Sequence, residues 1–290
     1  MSRLSWRAAC ALVAAAGSLA AAGPASAKTL DIVIAGDSYS SGVGGSGSNY
    51  GGTCLRNHNT WGEVYGNLVR AKGLTVNVNN VACGGAVVKD LDGQIPAVTP
   101  QTDLVLLTIG GNDVGFANIV IQCFAPVISD PGRCKSAVDS GKSKVNGVQT
   151  AALQRLNTLK ARLRPGGKVV VASYPYLANP NNYILSTIFG QKYNAGAGAR
   201  ELGDLGDQAV LNAAATANSQ AGYPLVTFVK TKDRFVGHEP NQDPYADNPA
   251  RWVNEFDLAG PYHPNDLGYK AMAEATLAAA GPGFDFGVSQ

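Results

Sequence analysis

The sequence predicts an α/β protein of three layers, an α/β/α sandwich with a five-stranded parallel sheet in the middle, and two patterns carry that prediction. Short runs rich in Val, Ile and Leu alternate with longer stretches whose apolar residues recur every three or four positions. Strands that read as mostly apolar are buried on both faces, and a parallel sheet covered by helices supplies that environment.

The strand runs are TLDIVIAG (29–36), LTVNVNNVA (74–82), DLVLLTIG (103–110), KVVVASYP (168–175) and PLVTFVK (224–230), each bounded by Gly, Pro or Asn. Helices are expected between them. WGEVYGNLVRAKG covers 61–73, and VNGVQTAALQRLNTLKARLRPGG covers 145–167, with Val148, Leu153, Leu156, Leu159 and Leu163 at helical spacing and Pro165-Gly166 as its stop. A third helix is expected from about Asp204 to Gln220, and a last one from Asp266 to Ala280. In a sheet of this kind, reactive residues sit in loops at the carboxyl ends of the strands.

The first 27 residues form a separate unit. MSRLSWRAACALVAAAGSLAAAGPASA has two arginines, a small apolar run and then Ala25-Ser26-Ala27, the layout of a secretory signal peptide cleaved after Ala27. The competing reading, an uncleaved anchor, requires a longer and less alanine-rich core. Residues 28–290 are then expected to be one exported domain, a monomer without stable membrane insertion. The full chain carries 23 Lys and Arg against 21 Asp and Glu, and the signal takes two arginines and no acid with it, so the remainder is neutral. Neutrality argues against nucleic acid as a partner. Four cysteines stay behind, and an even number in an exported chain reads as two disulfides. Three pairings are open; Cys54–Cys83 with Cys123–Cys134 is the simplest, because the second pair flanks the short stretch FAPVISDPGR. No clustered C-x-x-C pair supports a zinc site, and no cofactor is implied.

GDSYSSG (36–42) followed by VGGSGSNYGG invites two chemistries. Gly42-Val43-Gly44-Gly45-Ser46-Gly47 satisfies G-x-G-x-x-G, but a dinucleotide fingerprint begins at the strand end and opens a helix. Here the strand ends at Gly36, six residues earlier, and Glu63 falls within a helix instead of at a strand tip. Ser38, by contrast, stands directly after the first strand, where the turn presents a side chain above the sheet. On its own such a serine is more often a helix cap. It is not the elbow of an α/β-hydrolase, since no G-x-S-x-G occurs.

Three further strand-end segments change the balance: NVACGGA (80–86), TIGGNDVGF (108–116) and GPYHPNDLGY (260–269). With GDSYSSG they resemble, in order and across essentially the whole exported chain, the four blocks of the SGNH or GDSL hydrolase family, represented by Ser38, Gly85, Asn112 and His263. The cysteine placement and Gly237-His238-Glu239 look most like its secreted actinobacterial lipases, esterases and phospholipases; those often carry a third disulfide, for which no cysteines remain here. The resemblance implies a flavodoxin-like sheet order, Ser38 as nucleophile, His263 as base, and an oxyanion hole of the Ser38 and Gly85 amides with the Asn112 side chain. Each residue type suits its task independently, because a hydroxyl needs a base and a developing oxyanion needs donors already aimed at it. His58 and His238 read as loop-bracing residues, and Asp37 and Asp113 as turn-bracing carboxylates.

One position departs from the pattern. The family usually places an Asp three residues before the histidine, and here that residue is Gly260. Asp257 lies six residues upstream of His263, so a backbone carbonyl near Gly260 or Pro261 is the expected partner of the imidazole, giving a Ser-His dyad. The expected function is hydrolysis of carboxylic esters, lipase- or esterase-like, through an acyl-serine. Segments 114–134 and 176–203, with Phe116, Ile119, Ile121, Phe124, Tyr183, Ile184, Leu185, Ile188 and Phe189, offer apolar surface for an acyl chain or ordinary packing under long loops. A phospholipase or a polysaccharide deacetylase is the alternative within the family, and a non-catalytic lipid- or glycan-binding module the alternative outside it.

Overall fold

Every residue of the strand Leu104–Thr108 is buried, because it is the middle strand of a sheet covered on both faces. In the computed structural model, which describes residues 29–256 and 260–280, the elements run β1 (Thr29–Gly36), α1 (Ser38–Ser41), α2 (Trp61–Arg70), β2 (Thr75–Asn80), α3 (Leu91–Gln94), β3 (Leu104–Thr108), α4 (Phe116–Ile119), α5 (Pro131–Arg162), β4 (Lys168–Ala172), β5 (Ile184–Ser186), β6 (Lys192–Asn194), α6 (Ala195–Ala221), β7 (Val226–Val229), β8 (Asn241–Asp243), β9 (Ala246–Asp247) and α7 (Asp266–Ala280). The amino-terminal 27 residues and Asp257 lie outside the described residues.

The sheet is parallel throughout, in the order β2-β1-β3-β4-β7. Alternate residues of each strand face opposite helix layers. Ile32 and Ile34 of β1, with Leu104 and Leu106 of β3, pack against Trp61 and Tyr65 of α2 and Tyr269 and Met272 of α7. Val33, Val105, Leu107 and Val171 face Val148, Leu156 and Leu159 of α5 and Val210 and Ala214 of α6. β1 is flanked by β2 on one side and β3 on the other, so the strand order reverses there, and the crevice at such a switch point is where open α/β sheets bind ligands. Among the described residues no helix is long and apolar enough to cross a membrane.

The five sheet strands and the last helix fall where the apolar runs place them. Two helices begin earlier than the sequence pattern suggests. α5 starts at Pro131, with the Asp130 carboxylate accepting the Arg133 N–H at 2.9 Å as its cap. Its first half is buried through Cys134, Ala137, Val138 and Gly141, which keep helical spacing but are too small to register as an apolar stripe. α6 starts at Ala195 in a glycine-rich stretch, since a Cβ on Gly196 would sit 2.1 Å from the Asn179 carbonyl oxygen. A third cluster, including Ile119, Phe124, Val138, Tyr183, Leu202 and Tyr262, fills the space under the long loops.

Candidate active site

Ser38 is the first residue of α1, a single turn entered directly from β1. The Asp37 carboxylate caps it by accepting the Tyr39 N–H at 3.1 Å, and Gly42 ends it in the left-handed region, donating its N–H to the Ser38 carbonyl at 3.0 Å. As the first helical residue, Ser38 has no intrahelical acceptor for its own N–H. The glycine-rich run that follows thus closes a turn instead of opening a phosphate-binding helix.

His263 reaches the same point from the far end of the chain. Its Nε2 lies 2.7 Å from Ser38 Oγ, and its Nδ1 lies 2.9 Å from the Pro261 carbonyl oxygen. A carbonyl only accepts, so Nδ1 carries the hydrogen and Nε2 presents a lone pair to the serine hydroxyl. Burial pushes the imidazole down to about 4, against the upward pull of backbone hydrogen bonds with Pro261 and Gly260. The neutral form is therefore the resting one at ordinary pH.

The loop that holds His263 is tightly tied. Asn254 donates its N–H to the His263 carbonyl at 2.8 Å and accepts the Tyr262 N–H at 3.0 Å, while the Asn254 side chain donates to the Gly44 carbonyl at 3.0 Å. The Tyr39 hydroxyl donates to the Tyr262 carbonyl. Tyr262 itself adopts a φ of 59°, unusual for a side chain of its size, and these contacts hold it there. Gly260 has a φ of 100°, and a Cβ at that position would meet Val43 Cγ1 at 2.8 Å and the Gly44 nitrogen at 3.0 Å. An aspartate at 260 has neither the backbone conformation nor the room, which accounts for the departure noted above.

Gly85 and Asn112 come from the loops after β2 and β3, on either side of the Ser38 loop. Gly85 sits at a φ of 81°. The neighbouring amides of Gly84 and Ala86 donate to the Cys54 and Cys83 carbonyls, whereas the Gly85 N–H has no protein acceptor among the described residues. Asn112 donates one amide hydrogen to the Ala86 carbonyl at 2.9 Å, which fixes the side chain and leaves its second hydrogen for another acceptor. Cys54 is bonded to Cys83, joining the two loops that flank this region, and Cys123 to Cys134.

Several contributors were not singled out from sequence. Tyr174, just past β4, donates its hydroxyl hydrogen to Asp37 and accepts the Gly111 N–H at 3.2 Å, bridging the serine and asparagine loops. Its signal was only that of a polar aromatic at a strand end; Asn254, in an irregular segment, offered none. Asp37 also accepts from the Thr108 hydroxyl at 2.9 Å, yet burial still raises its carboxyl to about 7. Asp113 accepts the Val88 N–H at 3.0 Å. Of the other histidines, His58 stacks on Tyr50 at 4.6 Å and His238 on Trp252 at 3.6 Å.

Beside the serine lies an apolar cavity of about 100 Å³, between the sheet and helices α5 and α6. Tyr39, Gly111 and Phe116 form its near end, and the Phe116 and Tyr39 rings lie 5.5 and 4.9 Å from the His263 ring. Val145, Val148, Leu202, Gly203 and Gly206 form its helical wall. Of the apolar loop residues considered in the sequence, Phe116 and Ile119 line this cavity. Phe124, Tyr183 and Leu185 are instead buried packing under the loops, and Ile121, Ile184, Ile188 and Phe189 are exposed.

Residues 34–271 match the model of the GDSL-like Lipase/Acylhydrolase family. Lipase 2 of Streptomyces coelicolor is 32% identical over 93% of this chain and 96% of its own length. A lipase of Streptomyces rimosus is 34% identical over 55% of this chain and 58% of its own. Among solved structures, the extracellular lipase from Streptomyces rimosus superposes with a TM-score of 0.69 at 26% identity, and phospholipase A1 from Streptomyces albidoflavus with 0.69 at 27%; each comparison covers 86% of this chain and 99% of the other. A family model matched over most of the chain, a relative 32% identical along nearly its whole length and a solved lipase of like fold have one explanation: this protein is a member of the GDSL lipase and acylhydrolase family, a serine ester hydrolase.

Proposed function

We propose that the chain is a secreted carboxylic ester hydrolase in which Ser38 is the nucleophile and His263 its only side-chain partner. The observation that carries this reading is the 2.7 Å approach of His263 Nε2 to Ser38 Oγ, with Nδ1 directed at the Pro261 carbonyl. As Ser38 Oγ bonds to the ester carbonyl carbon, its proton passes to Nε2 and the carbonyl oxygen becomes an oxyanion. The Ser38 and Gly85 N–H groups and the remaining Asn112 amide hydrogen receive that charge. The carbon–alkoxy bond then breaks, the imidazolium returns its proton to the leaving alcohol, and an acyl-serine is left. Water, deprotonated by the same Nε2, attacks the acyl carbon and frees the acid and Ser38.

The acyl chain lies in the cavity between α5 and α6, whose near end begins one residue from Ser38 and one from Asn112. Likeness to both a lipase and a phospholipase A1 supports an acyl ester of a lipid as substrate. Export is supported by the amino-terminal sequence, by two disulfides and by the likeness to an extracellular lipase. The test is Ser38→Ala, which fits the turn but supplies no nucleophile: turnover of p-nitrophenyl esters is expected to fall by about 10³ or more with unchanged circular dichroism. A serine-directed phosphonate should label only the wild type. Ester turnover by Ser38→Ala within about tenfold of wild type would sink the assignment.

A further inference from the structure

Four large apolar side chains stand almost fully in solvent, on the tips of three different loops. Val127 is 101% exposed, Ile188 93%, Phe189 89% and Tyr245 90%. None sits there by default. Ile188 and Phe189 occupy the tight turn of the β5–β6 hairpin, closed by the Gly190 N–H on the Thr187 carbonyl at 3.1 Å, where Asn, Asp, Gly and Ser are the usual residues. Tyr245 occupies the turn between β8 and β9. Val127 has a φ of 72°, a conformation in which a β-branched residue is an outlier.

The three loops belong to one face. Val127, Ser186 and Tyr245 line a common groove of about 440 Å³, together with Tyr262, the residue before His263. Ile188 and Phe189 follow Ser186 by two and three residues. The tips themselves carry no charge, the first two segments reading APVIS (125–129) and TIFGQ (187–191) and the third tip being Pro244-Tyr245, while the groove between them holds Asp243, Arg251 and Glu255, each half-buried, with Arg251 paired to Glu255. We infer that this face docks the enzyme on a zwitterionic lipid surface, with the three tips immersed among the acyl chains and the mouth of the site turned toward the lipid. Separate protruding tips suit a fluid hydrocarbon layer, which needs no matching pockets, better than a folded protein, which would need three. Uncharged tips match a surface without net charge, and apolar side chains in such a layer are stabilised in proportion to the area removed from water.

The inference rests on the ester-hydrolase reading but can fail separately. Mature protein carrying Ser38→Ala, so that no lipid is consumed, is sedimented with sucrose-loaded phosphatidylcholine vesicles, alongside the same protein carrying Val127→Ser, Phe189→Ser and Tyr245→Ser. The triple change should weaken vesicle binding by about tenfold or more, while raising salt from low to high leaves the binding of the parent within about twofold. In the active background it should slow hydrolysis of vesicle-dispersed ester by a similar factor and leave kcat/KM for soluble p-nitrophenyl butyrate within about twofold. Failure of the parent to bind vesicles, undiminished binding by the triple variant, or a wild-type dimer in sedimentation velocity that the triple change abolishes would each overturn the docking assignment. Absence of soluble-ester turnover by the wild type would instead strike the ester-hydrolase reading.

Discussion

The Pro261 carbonyl oxygen stands 2.9 Å from Nδ1 of His263, in the place that a carboxylate takes in a Ser-His-Asp triad. It belongs to the loop that carries the histidine, so it is held by backbone geometry. In a triad, neutralising the acid costs about 10⁴ in kcat because the imidazole adopts the wrong tautomer. With a carbonyl in that role, Asp257→Asn and Glu255→Gln should each keep kcat within about tenfold, while His263→Ala should be nearly inactive. A thousandfold loss in Asp257→Asn, with the fold intact by circular dichroism, would mean that an acid is needed after all.

The hydrogen bond to that carbonyl pulls the His263 pKa upward, but burial outweighs it and sets the pH response. Burial lowers the His263 pKa to about 4, and among the described residues no carboxylate pairs with the imidazole. Protonation removes the lone pair that receives the serine proton, so kcat/KM should fall as pH drops, with its midpoint near 4 and not near the ordinary value of about 6.5. Initial rates on a soluble ester from pH 3.5 to 8 measure this. An acid limb centred above 6 would show that the imidazole is more solvated in solution than its buried position implies.

Tyr174 joins Asp37, beside the proposed nucleophile, to Gly111, beside the proposed oxyanion donor. Removing the Asn112 side-chain donor outright, in Asn112→Ala, should cost about 10²–10³ in kcat. Tyr174→Phe keeps the ring but unties the two loops and leaves the Gly111 N–H without its acceptor, so a smaller loss of about tenfold in kcat with little change in KM is expected. A change confined to KM would make Tyr174 part of the substrate-binding wall only.

Gly203 lines the cavity, and a Cβ built on it meets nothing within 4 Å. Gly203→Leu should therefore fold normally while filling space meant for an acyl chain. An apolar cavity of 150 Å³ holds benzene, so one of about 100 Å³ takes about four carbons, and a leucine side chain occupies most of it. Turnover of the butanoyl ester should fall about tenfold or more relative to the acetyl ester. An unchanged chain-length profile would place the acyl chain elsewhere.

What could be read in advance followed chemistry that is local in sequence. β1, β3 and β4 are apolar runs between breakers, and Ser38, Gly85, Asn112 and His263 lie in short strand-end segments with recognisable neighbours. The first half of α5 was not legible, because its buried face from Cys134 to Gly141 holds one branched apolar residue, Val138, beside the small Cys134, Ala137 and Gly141. β5, β6, β8 and β9 were not either, since strands of two or three residues carry no period. Asn254 and Tyr174 escaped notice because each acts on a partner far away in the chain, Asn254 on Gly44 and Tyr174 on Asp37. The reason Gly260 is not aspartate became visible only with Val43 and Gly44 packed beside it.

α5 has 32 residues and α6 has 27, about 48 and 40 Å of helix, whereas β4 between them spans five residues, about 17 Å. The two helices overhang the sheet they cover and build a second storey above its carboxyl edge. The groups proposed to break the ester stand on the lower floor, in loops fastened to strand ends, and the wall proposed to measure the acyl chain belongs to the overhang. A substitution in that upper storey can alter which esters fit while the strand-end loops, and the reaction they carry out, stay as they are.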